Sequence, residues 1–102
     1  MSLWQSVAKT SDIAPGQAKQ IVVDGQNIAV FNVDGKFCAI QDECTHAGAS
    51  LADGELAGRV VTCPWHGASF DVTCGKVLAE PAYDDVKSYK VKVEGGEILI
   101  EV

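Results

Sequence analysis

The chain has 102 residues, of which 47% are apolar, and its formal net charge at pH 7 is −6. This length is typical of one domain, so we expect a single domain over residues 1–102. The acidic balance argues against nucleic acid as a partner, because binding of phosphates needs a basic face. The sequence has neither an apolar stretch of 18 residues nor the apolar run of a secretory signal near its start. It therefore predicts a cytoplasmic protein with no membrane partner.

In chain order, the elements predicted are short strands joined by turns. Asp24-Gly25, Asp34-Gly35 and Gly95-Gly96 each separate two apolar or alternating runs, a pattern that indicates tight hairpins. Two candidate loops, 42–54 and 63–67, interrupt the strands, and the first has room for a helical turn within 42–51. The predicted strands cover residues 3–8, 20–23, 28–33, 37–40, 60–62, 69–72, 89–93 and 98–102. We therefore expect an all-β fold of short antiparallel strands, with the chemistry on two loops.

The two histidines of the chain both lie within three residues of a cysteine. The first group is Cys44-Thr45-His46, and the second is Cys63-Pro64-Trp65-His66. Together they offer two thiolates and two imidazoles, which could hold one tetrahedral zinc ion or a [2Fe-2S] cluster with two histidine ligands. The single residue between Cys44 and His46 is shorter than the usual spacing in zinc fingers and favours the two-iron cluster.

Cys38 and Cys74 match no ligand position in either group. In a cytoplasmic chain a structural disulfide is rare, so we expect each of them to be a small buried thiol. A reversible disulfide between these two cysteines is the alternative interpretation.

The two groups resemble the signature of Rieske proteins, Cys-x-His followed by Cys-x-x-His. Further similarity to bacterial Rieske ferredoxins extends over nearly the whole chain, at Leu51-Ala52-Asp53-Gly54, Phe70-Asp71, Gly75-Lys76 and Pro81. The resemblance implies a Rieske-type fold of stacked sheets with two cluster-binding loops. It also implies one [2Fe-2S] cluster, held by Cys44, His46, Cys63 and His66. The cysteines would hold the inner, buried iron, and the histidines would hold the outer iron at the electron port.

The same resemblance implies an electron carrier rather than an enzyme. A ferredoxin of a bacterial multicomponent oxygenase would take single electrons from a flavin-dependent reductase and pass them to a terminal oxygenase through transient contacts, as a monomer. Both histidines are already assigned to the cluster, so none remains for an oxygen-activating mononuclear iron. Two alternatives stay open at this point: the small subunit of an assimilatory nitrite reductase and a structural zinc module.

Overall fold

A computed structural model describes residues 4–43, 50–64, 67–79 and 85–101 of the chain, and within them the predicted all-β fold is confirmed. Two short 3-10 turns, Thr10–Asp12 and Leu51–Asp53, are the helical segments of this part. None of the helical segments described is long and apolar enough to cross a membrane. The strands are β1 (Trp4–Lys9), β2 (Ala18–Val23), β3 (Gln26–Val33), β4 (Lys36–Gln41), β5 (Glu55–Ala57), β6 (Val60–Thr62), β7 (Ser69–Asp71), β8 (Val77–Ala79), β9 (Ser88–Tyr89), β10 (Val91–Glu94) and β11 (Glu97–Glu101).

These strands form three antiparallel sheets. The terminal sheet has the order β1-β11-β10, the central sheet β2-β3-β4-β9, and the loop-bearing sheet β5-β6-β7-β8. The loop-bearing sheet is inserted between β4 and β9 of the central sheet, and the first candidate loop lies at the point of insertion. This topology places both candidate loops next to the loop-bearing sheet.

The hairpins predicted from glycine-containing pairs are confirmed. Asp24-Gly25 has φ values of 51° and 77°, and Asp34-Gly35 has φ values of 51° and 90°. Two successive residues with positive φ match the twist of the flanking strands, which is why Asp-Gly closes such turns. Gly95-Gly96, with φ values of 57° and 80°, closes the hairpin of β10 and β11 in the same way.

Strand β3 is buried on both of its faces. The four consecutive residues Ile28–Phe31 have no exposed surface. Because alternate residues of a strand point to opposite sides, other parts of the protein must cover both faces. Ile28 and Val30 pack with Ile98 and Ile100 of the terminal sheet. On the opposite face, Ala29 and Phe31 join a second core, which also contains Ile40, Leu51, Val61, Cys63, Ala68 and Phe70. The central sheet therefore separates two hydrophobic cores and supports the loop-bearing sheet from behind.

Apart from shifts of one or two residues at strand ends, the structure differs from the predicted elements in three respects. Strands β5 and β8, of three residues each, were not predicted. The predicted strand 89–93 is divided at Lys90, since β9 pairs with β4 while β10 pairs with β11. A 3-10 turn at Leu51–Asp53 shares only Leu51 with the range 42–51, and because residues 44–49 lie outside the described part, the helical turn expected within that range stays a prediction.

The two cysteines outside the candidate ligand groups lie in different environments. Cys38 on β4 is buried, as predicted, and this burial raises the pKa of its thiol. The prediction of a buried thiol was wrong for Cys74, which is exposed in the turn between β7 and β8. Both cysteines are free in the structure, and the alternative of a reversible disulfide between them stays a prediction.

Asp71, at the end of β7, organises the turn that leads to β8. Its Oδ1 accepts hydrogen bonds from the Thr73 N–H at 2.9 Å and the Thr73 hydroxyl at 2.5 Å. Its Oδ2 lies 3.3 Å from Nε of Arg59, although the Arg59 side chain is 69% exposed and contributes little by itself. Burial raises the pKa of Asp71, but the bonds from Thr73 and the charge of Arg59 outweigh it, and the pKa is lowered overall.

This lowered pKa predicts a contribution to stability that disappears in acid. The contribution is complete above the pKa of an unfolded aspartate, about 3.9, and is lost as the pH falls through the lower pKa of folded Asp71. We expect Asp71→Asn to reduce the free energy of unfolding by about 1 kcal/mol at neutral pH, because the hydrogen bonds lose their charged acceptor. Urea unfolding of both proteins between neutral and strongly acidic pH measures this difference. A difference that does not shrink toward acidic pH would contradict the assignment.

Candidate iron–sulfur site

Of the four ligands predicted from the sequence, the structure describes one. Cys63 lies directly after β6, is 2% exposed and belongs to the core between the central and loop-bearing sheets. Cys44, His46 and His66 lie outside the described residues, so their approach to Cys63 stays a prediction. The buried position of Cys63 agrees with a ligand at the inner end of a site.

The second candidate loop is closed at its base by backbone hydrogen bonds. The Cys63 N–H donates to the carbonyl of Ala68 at 2.7 Å, and the Gly67 N–H donates to the carbonyl of Cys63 at 3.2 Å. Gly67 has a φ of 78°, which favours glycine. A Cβ at Gly67 would meet no described atom within 4 Å, so among the described residues the requirement for glycine is its backbone conformation.

The first candidate loop is closed in a similar way. Residues 44–49 lie between Glu43 and Ser50, which form an isolated antiparallel bridge. One residue further out, the Leu51 N–H donates to the carbonyl of Asp42 at 2.6 Å. The two residues that flank the segment with Cys44 and His46, Glu43 and Ser50, are therefore adjacent in the structure.

The side chain of Asp42 reinforces this closure and was not singled out in the sequence. It is 2% exposed, and its Oδ1 accepts hydrogen bonds from the Ser50 hydroxyl and the Ala52 N–H, both at 2.9 Å. Its Oδ2 accepts a bond of 2.5 Å from Nε2 of Gln20, on β2 of the central sheet. The sequence held one signal, an aspartate two residues before Cys44, but its partner Gln20 is 22 residues away and could not be identified from the pattern.

A glycine links the first loop to the strand that carries Cys63. Gly54 follows the 3-10 turn Leu51–Asp53, and its N–H donates to the carbonyl of Leu51 at 3.0 Å. A Cβ at Gly54 would clash with the carbonyl oxygen of Thr62, the residue before Cys63. Because the φ of Gly54 is −77°, glycine is required there for close approach and not for its backbone conformation.

The described residues fit a cluster bound between two loops. They provide a buried free thiol at Cys63, two closed loop bases and a close contact between them at Gly54. In this part of the chain, no three His, Cys, Asp or Glu side chains are grouped as metal ligands. Three of the four predicted ligands, Cys44, His46 and His66, lie outside the described ranges.

The close approach of Gly54 predicts that Gly54→Ala weakens the fold and disturbs the loop bases. Since the φ of Gly54 suits alanine, the cost arises from the clash with Thr62, and we expect a loss of about 1–3 kcal/mol in the free energy of unfolding. The matched control is Gly16→Ala, where a φ of 82° costs stability but no described atom lies within 4 Å. Urea unfolding and visible absorption of both purified variants measure the two effects. Unchanged absorption in Gly54→Ala would argue against a link between the loops.

Comparison with known proteins identifies the family of this fold and site. The Rieske [2Fe-2S] domain family matches residues 3–90. The biphenyl dioxygenase ferredoxin subunit of Pseudomonas sp. strain KKS102 is 43% identical over 99 residues, which cover 96% of this chain and 91% of that protein. The naphthalene 1,2-dioxygenase system ferredoxin component of Pseudomonas putida is 36% identical over 99 residues, covering 97% and 95%.

A solved structure with the same fold is the ferredoxin of carbazole 1,9a-dioxygenase from Nocardioides aromaticivorans IC177. It has a TM-score of 0.93 and 34% identity, with 97% of each chain covered. These findings confirm the predicted fold, and they indicate one Rieske-type [2Fe-2S] cluster as the cofactor. The chain belongs to the family of Rieske [2Fe-2S] domains.

Proposed function

We propose that this chain is the ferredoxin component of a multicomponent oxygenase, passing single electrons from a flavin-dependent reductase to a terminal oxygenase. The observation that carries the proposal is its similarity, over more than nine-tenths of both chains, to ferredoxin components of dioxygenase systems. A further related structure is described as a complex of reduced oxygenase and oxidized ferredoxin in carbazole 1,9a-dioxygenase. It has a TM-score of 0.90 and 36% identity, and the match covers 95% of this chain and 91% of that chain.

We assign the cluster ligands to Cys44, His46, Cys63 and His66. When bound, such a cluster accepts and releases one electron at a time, at a potential above that of clusters with four cysteine ligands. Support for the assignment comes from the buried free thiol of Cys63 and from the closed base of each loop. The Rieske signature in the sequence supplies the other three positions.

Exposure along the second loop supports a histidine end that faces a partner. Cys63 and Ala68, at the base of the loop, are buried. Pro64 and Gly67, which flank residues 65–66, are both exposed. An iron bound by Cys63 would therefore be shielded from solvent by the core. His66 would lie on the solvent side of the cluster, where the path for electrons to another protein is short.

This role assigns no catalysis to the chain itself. Its partners are proteins bound transiently, and the net charge of −6 suits encounter with basic patches on them. We propose that the protein is a cytoplasmic monomer with one domain over residues 1–102. A stable stoichiometric complex with a sirohaem-containing subunit would instead support the small subunit of a nitrite reductase, and one zinc ion per chain would support a structural module.

Replacing the proposed ligands tests the site directly. We expect purified wild-type protein to contain two irons and two acid-labile sulfides, and to give a rhombic EPR signal after reduction with dithionite. Cys63→Ser should lose the iron, the sulfide and the colour, because a core thiolate ligand is removed. Cys38→Ser and Cys74→Ser are the matched controls and should keep the cluster. A coloured Cys63→Ser protein with wild-type iron would refute the ligand set.

The electron-transfer role predicts that the protein supports oxygenase turnover. The assay combines it with NADH and the reductase and oxygenase of the biphenyl system, whose ferredoxin is 43% identical. We expect NADH-driven reduction of the cluster and product formation that depends on added wild-type protein. The turnover should fall by about tenfold or more from 50 to 500 mM salt if charge steers the encounter. The assay is repeated with the oxygenases of the naphthalene and carbazole systems. Reduction of the cluster without product formation in all three systems would count against this role.

A further inference from the structure

Asp42 has an unusual position relative to the first pair of proposed ligands. It is the first residue after β4 and lies two residues before Cys44. Its backbone N–H donates to the carbonyl of Asn27 on β3 at 3.0 Å, so the residue is tied to the central sheet at its main chain. The segment that carries Cys44 and His46 thus starts from a fixed point.

The same residue also fixes the point where that segment ends. The carboxylate accepts bonds from Ser50 and Ala52, and the carbonyl accepts a bond from Leu51. The bond from Gln20 to the other carboxylate oxygen holds the side chain against β2. Both ends of residues 44–49 are therefore joined to each other and to the central sheet through one amino acid.

The chemistry of these bonds distinguishes Asp42 from an ordinary stabilising carboxylate. The carboxylate is 2% exposed, yet its three side-chain partners are an amide, a hydroxyl and a backbone N–H, all of them neutral. Burying a carboxylate among neutral donors is costly, and such a residue is usually kept for a specific geometry. Asp71, the other buried aspartate described, is paired with Arg59 and lies opposite Val60, at the end of β6 remote from Cys63.

We infer that Asp42 is a positioning residue for the cluster, and the inference rests on the proposed ligand set. Its carboxylate holds the two ends of the first loop at one distance and orientation, and this would determine how Cys44 and His46 are presented to the cluster. Partners of this kind around metal ligands affect affinity by about 10–100-fold when they are removed.

The contacts of the 3-10 turn connect Asp42 to the second loop. Ala52, bonded to Asp42, belongs to the 3-10 turn that ends at Gly54. Gly54 approaches the carbonyl of Thr62 so closely that no Cβ fits between them. Thr62 precedes Cys63, so a shift of the turn would displace the strand end that carries the described ligand.

The experiment compares wild type, Asp42→Ala, Asp42→Asn and Asp71→Ala, each purified with its cluster. The first measurement is the rate at which visible absorption is lost in excess bathophenanthroline disulfonate. The second is the set of EPR g values after reduction with dithionite. We expect Asp42→Ala to lose its cluster about tenfold faster than wild type, with broadened or shifted g values. Asp71→Ala controls for the loss of a buried carboxylate and should lower the thermal midpoint without changing either measurement.

Asp42→Asn tests the geometry itself. Asparagine keeps the oxygen that accepts from Ser50 and Ala52, and the amide of Gln20 can turn its own oxygen toward the new NH₂ group. We expect this variant to restore the wild-type g values and nearly the wild-type rate. Loss of the cluster as fast as in Asp42→Ala would overturn the inference, as would an Asp42→Ala protein that behaves like Asp71→Ala.

A milder variant keeps the test decisive if Asp42→Ala does not assemble. Ser50→Ala removes one of the bonds to Asp42 and should speed cluster loss measurably, whereas a wild-type rate would overturn the inference. Failure of the proposed function is seen separately, as a wild-type protein without iron and sulfide or a Cys63→Ser protein that keeps them.

Discussion

The burial of β3 on both faces is the constraint on which the rest of the structure depends. Residues Ile28–Phe31 have no exposed surface, so each neighbouring sheet must cover one side of this strand. The terminal sheet covers one side, and the loop-bearing sheet covers the other. Without the loop-bearing sheet, Ala29 and Phe31 would face water, and the core that includes Cys63 would not exist. The candidate site is therefore supported by the same packing that stabilises the fold.

Asp42 and Asp71, the two aspartates buried in the described part of the chain, show how one residue type serves different purposes. Asp71 has a neighbouring guanidinium and strong local bonds within its own turn, and its pKa is lowered accordingly. Asp42 has neutral partners from three separate parts of the chain: β2, Ser50 and the following 3-10 turn. The first stabilises a local turn, whereas the second connects segments that are distant in sequence.

Local features of the sequence predicted most of the fold and the family. The Asp-Gly and Gly-Gly hairpins were predicted correctly because their backbone conformation depends on the two turn residues alone. The cysteine and histidine spacing indicated the cluster because metal binding restricts the residue types so strongly. The exposure of Cys74 and the roles of Asp42 and Gly54 were not distinguishable in advance. Each depends on contacts between segments that the sequence pattern does not bring together.

The loop-bearing sheet is formed by one continuous stretch of the chain, and this affects the order in which the sheets fold. Its four strands come from residues 55–79 and pair only with sequence neighbours, so their contacts are local. In contrast, the terminal sheet pairs β1 with β11, across most of the chain. Closing a long loop of chain costs more conformational entropy than closing a short one, and contacts between distant residues therefore form more slowly. The hairpins of the loop-bearing sheet should form before the terminal sheet. The part that receives iron would then be shaped while the ends of the chain are still unpaired.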